Sequence, residues 1–452
     1  MSFRRSIESQ LLVWKESKNR KPLIIRGARQ VGKTTVIKTF SKEYDYAIML
    51  NLEKPTDKAY FENFNNVQKL LEALLLINNI PSSAISQTLL FIDEIQESPK
   101  AIGMLRYFFE EIAALHVICA GSLLEFAIKN VTNFPVGRVA FLYLYPFNFQ
   151  EYLVAHNKHL VLEKLKIVPV SEIAHSALMD SFHRYAIIGG MPEIIKTDIE
   201  LQQITDLSII YESIWETYKN DVEKYTKNDT DRKIIKHIVN SAALFIEKRV
   251  IFQGFGNSNY KSREVGEAFR ALDAAKVIQI IYPTTDTQPP LKSDLKKSPK
   301  LQFLDTGLVN YALGIQSEML SMTDLSSAFR GAIIPHLVIQ ELISLHVGKS
   351  QKPNFWVREK LQSSAEVDFL FAYKNIAIPI EIKSGTTGSL KSLHQFIEAT
   401  DHPYAIRMYG GSFSIESTIT PNKKPYLLMN LPYYLTTMLP EYVEWFVKNH
   451  TL

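Results

Sequence analysis

The sequence predicts an α/β protein whose N-terminal part is a parallel sheet with helices on both faces. Short apolar runs at residues 23–25, 46–53 and 88–92 are separated by segments in which apolar residues keep a helical period. A glycine-containing turn follows the first run and leads into a helical segment. Strands that alternate with helices in this way usually form one parallel sheet covered by helices on both faces.

The composition limits the class of protein. A chain of 452 residues is longer than one typical core and indicates two or three domains. The net charge of +4 is compatible with nucleic-acid binding but does not indicate it. The single cysteine, Cys119, excludes an internal disulfide. Because we find neither a signal segment nor an apolar run of about 18 residues, we expect a cytoplasmic protein without membrane association.

Residues 22–35 predict a phosphate-binding loop. Gly27-x-x-x-x-Gly32-Lys33-Thr34 fits the Walker A pattern between a predicted strand and a predicted helix. In such a loop the backbone N–H groups face a phosphate, Lys33 reaches the β- and γ-phosphates, and the Thr34 hydroxyl binds Mg²⁺. The alternative is a glycine turn with a chance lysine, which the strand context and the Lys-Thr pair disfavour. The candidate nucleotide-binding residues are Gly27, Ala28, Arg29, Gln30, Val31, Gly32, Lys33, Thr34 and Thr35.

A second part of this site is predicted where the apolar run at 88–92 ends in Asp93 and Glu94. Asp93 has the position of a Walker B aspartate, which holds Mg²⁺ directly or through water. Glu94 would orient and deprotonate the attacking water. Alone, the two carboxylates are as well explained as polar residues at a strand end. Together with the loop, they predict nucleotide hydrolysis.

The strand predicted over 115–122 ends in Ser122, beside the expected position of the γ-phosphate. Ser122 could position the attacking water, cap a helix over 123–129, or do both. Arg138 follows soon after and could complete the site as an arginine finger, in cis or from a neighbouring subunit. A surface arginine is the alternative. The helices predicted in this part are 1–20, 64–77 and 102–114.

These motifs resemble a family of prokaryotic AAA-type ATPases that carry a C-terminal region of unknown function with a restriction-nuclease-like fold. The residues that carry the resemblance are Arg26-Gly27-Ala28-Arg29-Gln30-Val31-Gly32-Lys33-Thr34, Asp93-Glu94-Ile95-Gln96, Ala120-Gly121-Ser122, Gly137-Arg138, Tyr145-Pro146-Phe147, Gly189-Gly190-Met191-Pro192-Glu193, Leu304-Asp305-Thr306-Gly307-Leu308, Glu366-Val367-Asp368-Phe369 and Ile380-Glu381-Ile382-Lys383.

The resemblance covers nearly the whole chain and implies three domains. An AAA-type ATP-binding domain is expected over 1–155, a helical lid and winged-helix region over 156–290, and an α/β nuclease-like domain over 291–452. ATP and Mg²⁺ are the implied cofactors. DNA and a protein are candidate partners, and assembly into an oligomer is a further prospect.

The middle region is predicted to be helical. Apolar residues keep a 3.6 period over 234–242 and again over 265–272, and a strand follows at 277–282. This order suggests a winged helix, as the resemblance implies. Four basic residues on or near the second helix could contact DNA phosphates: Lys261, Arg263, Arg270 and Lys276. Acidic residues on the same helix favour the alternative, a solvated face.

The last domain contains a candidate metal site. Asp368 and Glu381 lie on two predicted neighbouring strands, and Lys383 projects on the same face as Glu381. This Asp…Glu-x-Lys spacing is that of restriction-type nucleases. Carboxylates are suitable Mg²⁺ ligands, and the lysine can help to generate the attacking hydroxide.

One position departs from the family pattern. The family has a glutamate on the preceding helix, four residues after a glycine. Here the glycine corresponds to Gly331, and the residue at the position of the glutamate is Pro335. Glu341, six residues later, is a partial substitute as the third metal ligand. Two alternatives therefore stay open. The domain cuts nucleic acid, or it is a degenerate nuclease fold that binds DNA or a protein partner under nucleotide control.

Overall fold

The computed structural model describes residues 3–122, 124, 134–201, 207–223, 226, 228–322, 325, 327–348, 351–360, 363–385 and 390–452. Apart from Leu124, the helix expected over 123–129 lies outside the described residues. The chain divides into two compact units. The first comprises Met1–Tyr145, Ala274–Val277 and His346–Ser350, and the second comprises Pro146–Asp273, Ile278–Leu345 and Gln351–Leu452.

The first unit is built on a parallel sheet. Among its described residues, five strands have the order β2-β3-β4-β1-β5, and every neighbouring pair is parallel. They are β1 (Leu23–Arg26), β2 (Tyr46–Asn51), β3 (Thr88–Asp93), β4 (His116–Gly121) and β5 (Ala140–Tyr143). Because β4 lies between β3 and β1, the ends of these three strands are neighbours at one edge of the sheet. The sequence prediction of a parallel α/β sheet is confirmed.

Helices cover this sheet and bury its apolar residues. They are α1 (Ile7–Lys15), α2 (Lys33–Phe40), α3 (Pro55–Asn63), α4 (Val67–Ile77) and α5 (Pro99–Glu111). The helix expected over 64–77 begins later, because the Asn66 side chain accepts hydrogen bonds from the backbone N–H groups of Gln68 and Lys69 and caps α4. Helix α3 was not predicted. Strands β3 and β4 are buried along their whole length, and Cys119 in β4 is fully buried.

The second unit contains a larger mixed sheet. Among its described residues, seven strands have the order β13-β14-β12-β11-β10-β9-β7. Strands β9, β10 and β11 are antiparallel neighbours, whereas β11, β12 and β14 are parallel. The strands are β7 (Pro283–Thr284), β9 (Asn354–Lys360), β10 (Ser363–Tyr373), β11 (Ile376–Ile382), β12 (Tyr404–Tyr409), β13 (Ser414–Ile419) and β14 (Pro425–Pro432).

Helices make up most of the rest of this unit. They are α6 (Phe149–Ala155), α7 (His159–Leu165), α8 (His175–Ile188), α9 (Pro192–Leu201), α10 (Ser208–Glu223), α11 (Asp229–Ser241), α12 (Ser262–Ala274), α13 (Thr306–Leu313), α14 (Gln316–Ser321), α15 (Ile333–Ser344), α16 (Lys391–Glu398) and α17 (Leu439–Asn449). Strands β6 (Ile278–Ile281) and β8 (Lys300–Phe303) form an antiparallel pair, and Arg249 bridges to Lys300. Among the described residues, no helix has the length and apolar character that crossing a membrane requires.

The backbone at Gly190 and at Gly307 packs closely against other backbone segments. A Cβ atom on Gly190 would overlap the carbonyl of Phe147, and one on Gly307 would overlap the carbonyl of Ile188. Asp305 is fully buried here and accepts hydrogen bonds from the N–H of Gly190 at 2.6 Å and of Leu308 at 3.1 Å. Close backbone approach and a buried helix cap explain these motifs without a ligand.

Candidate functional site

The phosphate-binding loop leaves the sheet at the end of β1. Gly27 has φ of +157°, and a Cβ atom there would overlap the Leu144 carbonyl. Gly32 has φ of +94° and is the N-cap of α2. Both positions require glycine, because a side chain would clash at the first and strain the backbone at the second. The sequence therefore forces the chain into a tight loop that directs the N-terminus of α2 toward the strand ends.

Lys33 is held over this loop. Its side chain is buried, and Nζ donates hydrogen bonds to the carbonyls of Gly27 at 3.1 Å and Ala28 at 2.8 Å. Arg29 lies at the surface, where its guanidinium is 3.1 Å from Glu53 Oε1. The positive charge of Lys33 is thus concentrated at the loop, where a phosphate would bind.

Thr34 and Asp93 come together across this edge of the sheet. Thr34 Oγ1 donates a hydrogen bond of 2.6 Å to Asp93 Oδ2, and the N–H of Glu94 donates to Asp93 Oδ1 at 3.1 Å. Burial raises the pKa of Asp93, and the hydrogen bond from Thr34 opposes that shift. A hydroxyl and a carboxylate oxygen in contact fit Mg²⁺, which takes few protein ligands and fills its other positions with water and phosphate.

Glu94 follows Asp93 in an unusual backbone conformation, with φ of +50°. Its Oε2 accepts a hydrogen bond of 2.5 Å from Gln96 Nε2. Gln96 belongs to the short 3-10 helix Ile95–Glu97. Sequence reasoning gave Gln96 no role, although its closeness to Asp93 and Glu94 in the chain was a signal that could have found it.

Ser122 and Arg138 have different surroundings. Ser122 directly follows β4, and its buried Oγ has no hydrogen-bond partner among the residues that the structure describes. Arg138 has a half-exposed side chain whose Nε lies 3.2 Å from Glu110 Oε1. The structure therefore places Ser122 at the edge shared with Asp93, and it pairs Arg138 with a surface carboxylate.

The carboxylates predicted in the second unit lie on adjacent strands, as expected. Asp368 on β10 accepts a hydrogen bond of 2.9 Å from the N–H of Ile382. Glu381 on β11 accepts one of 2.6 Å from Lys383 Nζ, while its Oε2 is buried without a partner among the described residues. Burial and the neighbouring Asp368 raise the pKa of Glu381 to about 7.

A lysine that the sequence did not suggest lies among these carboxylates. Lys300 is buried, and its Nζ is 2.9 Å from Glu366 Oε1, 3.3 Å from Glu247 Oε2 and 3.8 Å from Asp368 Oδ1. Burial opposes its charge, but the three carboxylates outweigh that effect and hold the pKa of Lys300 above its ordinary value. The cation of this cluster is therefore supplied by the protein.

The third ligand expected at Glu341 is not part of this cluster, and that prediction is wrong. Glu341 is fully buried, and its two oxygens are engaged by the Tyr185 hydroxyl at 2.6 Å and the N–H of Phe149 at 2.8 Å. Burial raises the pKa of Glu341 to about 8. Among the described residues, no group of three His, Cys, Asp or Glu side chains is arranged to hold a metal ion. Among these residues Asp368 and Glu381 thus lack a third acidic ligand, and the ammonium groups of Lys300 and Lys383 lie beside them.

Three family models match the chain. Residues 19–153 match "AAA domain", residues 179–319 match "Domain of unknown function (DUF8612)", and residues 330–423 match "Domain of unknown function (DUF4143)". The phosphate-binding loop, Asp93 and Glu94 therefore lie within the residues that are similar to an AAA domain. No curated protein matches the chain.

Two solved structures show a weak similarity. A Signal Transduction ATPase with Numerous Domains protein with a tetratricopeptide repeat sensor, from Pyrococcus horikoshii, is 12% identical with a TM-score of 0.29, and the match covers 76% of this chain and 47% of that one. The RuvB Holliday junction branch migration motor of Thermotoga maritima is 17% identical with a TM-score of 0.27, and the match covers 61% and 89%. This chain thus spans about half the length of the first of them.

Proposed function

We propose that this protein binds ATP and hydrolyses it to ADP and phosphate in its AAA-type domain. The observation that carries the proposal is the contact between Thr34 and Asp93, which places a loop hydroxyl on the carboxylate of a neighbouring strand at 2.6 Å. A loop that merely turned a strand into a helix would not need this contact. Glu94 supplies a second carboxylate at the same edge.

The residues divide the work of hydrolysis between them. The loop N–H groups, the N-terminus of α2 and Lys33 bind the phosphates and stabilise the charge that develops on them. Glu94 orients the attacking water and takes its proton. Thr34 and Asp93 would hold Mg²⁺, directly or through water, and the bound ion would supply positive charge to the phosphate groups.

The test is ATP turnover by the full chain with Lys33→Ala, compared with Lys38→Ala. Lys38 lies on the same helix, but its side chain is exposed. Removing Lys33 should weaken ATP binding and lower the rate, on the order of 100-fold in kcat/KM, because two or more charge-assisted contacts disappear. Lys38→Ala should behave as the wild type. Equal turnover by the two variants contradicts the proposal.

We further propose that the second unit is a nucleotide-controlled binding module that does not cut nucleic acid. The position of Lys300 among Glu247, Glu366 and Asp368 supports this proposal, because the space that a metal ion would need at Asp368 is near an ammonium group. The order α11, α12, β6 and β8 resembles a winged helix and suggests DNA as a partner. A protein partner is the other candidate.

Cleavage of a mixed panel of DNA and RNA tests this second proposal. The wild type and Asp368→Ala are incubated with Mg²⁺ or Mn²⁺, with and without ATP. We expect no cleavage by either protein, and DNA affinity that differs between the ATP and ADP states. Cleavage by the wild type that disappears in the variant would instead support a nuclease that uses Asp368, Glu381 and Lys383.

A further inference from the structure

Gln96 controls the direction of the Glu94 carboxylate. The hydrogen bond from its Nε2 to Glu94 Oε2 is short, at 2.5 Å, and it joins two residues of one tight turn. Glu94 has φ of +50°, a conformation that costs energy for a residue with a Cβ atom. A strained turn and a short hydrogen bond that fix one carboxylate indicate that its direction matters.

The carbonyl oxygen of the Gln96 amide, Oε1, suggests that a ligand binds here. Gln96 Oε1 is buried and has no hydrogen-bond partner among the described residues. A buried acceptor without a partner is energetically unfavourable, so such an atom usually has a partner in the working state of a protein. A Cβ atom on Gly121 would lie only 2.6 Å from Gln96 Oε1, which places this oxygen against the end of β4. Ser122 follows Gly121, and its Oγ is also buried and unpartnered among these residues.

We infer that Gln96 is a positioning residue that, with Glu94, holds the attacking water. The inference rests on the proposed ATPase function. A water molecule has two protons to donate. If one goes to Glu94 and the other to Gln96 Oε1, a lone pair is left to face the γ-phosphorus. Ser122 Oγ is a further polar atom at this edge of the sheet.

The reaction then balances without another reactant. The water oxygen forms a bond to the γ-phosphorus while the bond from that phosphorus to the β–γ bridging oxygen breaks. ADP leaves with the electron pair of the broken bond. Glu94 takes one water proton, and Gln96 Oε1 keeps its hydrogen bond to the other.

The first experiment compares Gln96→Met with Gln87→Met. Gln87 lies at the opposite end of β3 and is exposed, so it controls for loss of a glutamine of the same size. Misplacing a reacting group by about 1 Å costs about 100-fold, so we expect Gln96→Met to lower kcat by about that factor. The dissociation constant for ATP should stay within about twofold of wild type, because the phosphate contacts remain. A kcat within about twofold of wild type overturns the inference.

Two further variants separate positioning from a merely structural role. Gln96→Glu sets two carboxylates side by side, so they share a proton and the acidic limb of the pH–rate profile should move to higher pH. Gly121→Ala should lower kcat without removing any polar group, because the new methyl displaces Gln96 Oε1. An unmoved acidic limb, or equal losses in kcat and ATP affinity in every variant, would mean that Gln96 only supports the fold.

The same assay distinguishes failure of the inference from failure of the proposed function. Wild type that hydrolyses no ATP removes the ATPase proposal itself, whereas Glu94→Gln with wild-type turnover removes the role of Glu94 and, with it, the inference about Gln96. Glu94→Gln that abolishes turnover while Gln96→Met leaves it intact keeps the ATPase and rejects only the role of Gln96.

Discussion

Two pairs of carboxylates in this molecule differ in what holds them. Asp93 and Glu94 end a buried strand and are bound by the Thr34 hydroxyl and the Gln96 amide. Asp368 and Glu381 lie on neighbouring strands, with the Lys300 ammonium 3.8 Å from the first and the Lys383 ammonium 2.6 Å from the second. Hydroxyl and amide groups leave negative charge available to a cation, whereas lysines neutralise it.

The comparison shows that residue types and spacing do not by themselves reveal which groups surround a pair of carboxylates. Each pair is accompanied by a lysine: Lys33 in the first unit, sixty residues before Asp93 in the chain, and Lys383 in the second, two residues after Glu381. In the first unit that lysine, Lys33, donates to carbonyls of its own loop. In the second unit, Lys300 of β8, which is distant in sequence, supplies positive charge near Asp368. What decides the chemistry is which cation the fold has already placed there.

The largest effect is expected when Glu94 of the first pair is replaced. Glu94→Gln removes the base that accepts the water proton, so ATP turnover should fall by about 10²–10⁴-fold while ATP binding persists. Glu97→Gln, in the same 3-10 helix and similarly half-buried, is the control and should hydrolyse ATP normally. Single-turnover hydrolysis measures the rate. Similar losses of hydrolysis rate in the two variants would show that the negative charge of this turn matters, and not a specific role of Glu94 as base.

The next effect concerns the second pair. Lys300→Met leaves three carboxylates without their buried cation, which should lower the free energy of unfolding by about 3–5 kcal/mol. The freed carboxylates should then bind Mg²⁺ or Mn²⁺, so millimolar metal should raise the melting temperature of the variant more than that of wild type. Lys297→Met, whose lysine pairs with Glu359 and lies nearer the surface, is the control. An equal response of wild type and variant to metal would contradict the role given to Lys300.

A smaller effect is expected on the pH dependence of stability, through Glu341, which belongs to neither pair. The pKa of Glu341 rises from 4.5 unfolded to about 8 folded, so folding takes up a proton between these pH values. For this group the free energy of unfolding therefore falls as pH rises through that window, by up to about 1.4 kcal/mol per pH unit, and levels off above pH 8.

Glu341→Gln keeps an acceptor oxygen for the N–H of Phe149 but cannot ionise, and the Tyr185 hydroxyl can still donate to the Phe147 carbonyl. We expect its stability relative to wild type to increase from pH 6 to pH 8, measured by urea unfolding at each pH. Glu318→Gln changes an exposed carboxylate of the same unit and should show no such trend. A constant difference between Glu341→Gln and wild type would mean that Glu341 is ionised in the folded protein.

The smallest effect is expected at Arg138. Because its ion pair with Glu110 is exposed and screened by solvent, Arg138→Ala should leave stability nearly unchanged. ATP turnover by the variant should remain within about twofold of wild type, since stabilisation by an arginine finger would be worth about 10³-fold or more. A loss of that size that appears only at protein concentrations that support assembly would identify a finger from a neighbouring subunit.

Features that depend on neighbours in sequence were predictable. The loop from Gly27 to Thr34 is determined by its own glycines and by the strand before it, so its form followed from the sequence. The end of β3 at Asp93 followed from a short apolar run. The surroundings of Gln96 Oε1 and of the Lys300 ammonium could not be predicted, because each depends on residues brought close by the fold: Gly121 in one case, Glu247 and Glu366 in the other.

The prediction that Glu341 is a third metal ligand was wrong for a related reason: helical spacing does not determine which residues pack against the helix. Helix α15 is buried along its length, and its carboxylate contacts the Tyr185 hydroxyl and the N–H of Phe149. Helix α3 was missed because its apolar residues are few, with only Phe61 buried.

The burial of Cys119 has a practical consequence for spectroscopy. The only thiol of the chain lies inside β4 and is inaccessible to reagents while the domain is folded. A cysteine introduced at Val136 or Ile173, which are 76% and 95% exposed, can therefore take a fluorescent maleimide without background labelling. With one dye on each unit, energy transfer on individual molecules would report directly whether ATP, ADP or DNA changes the distance between them.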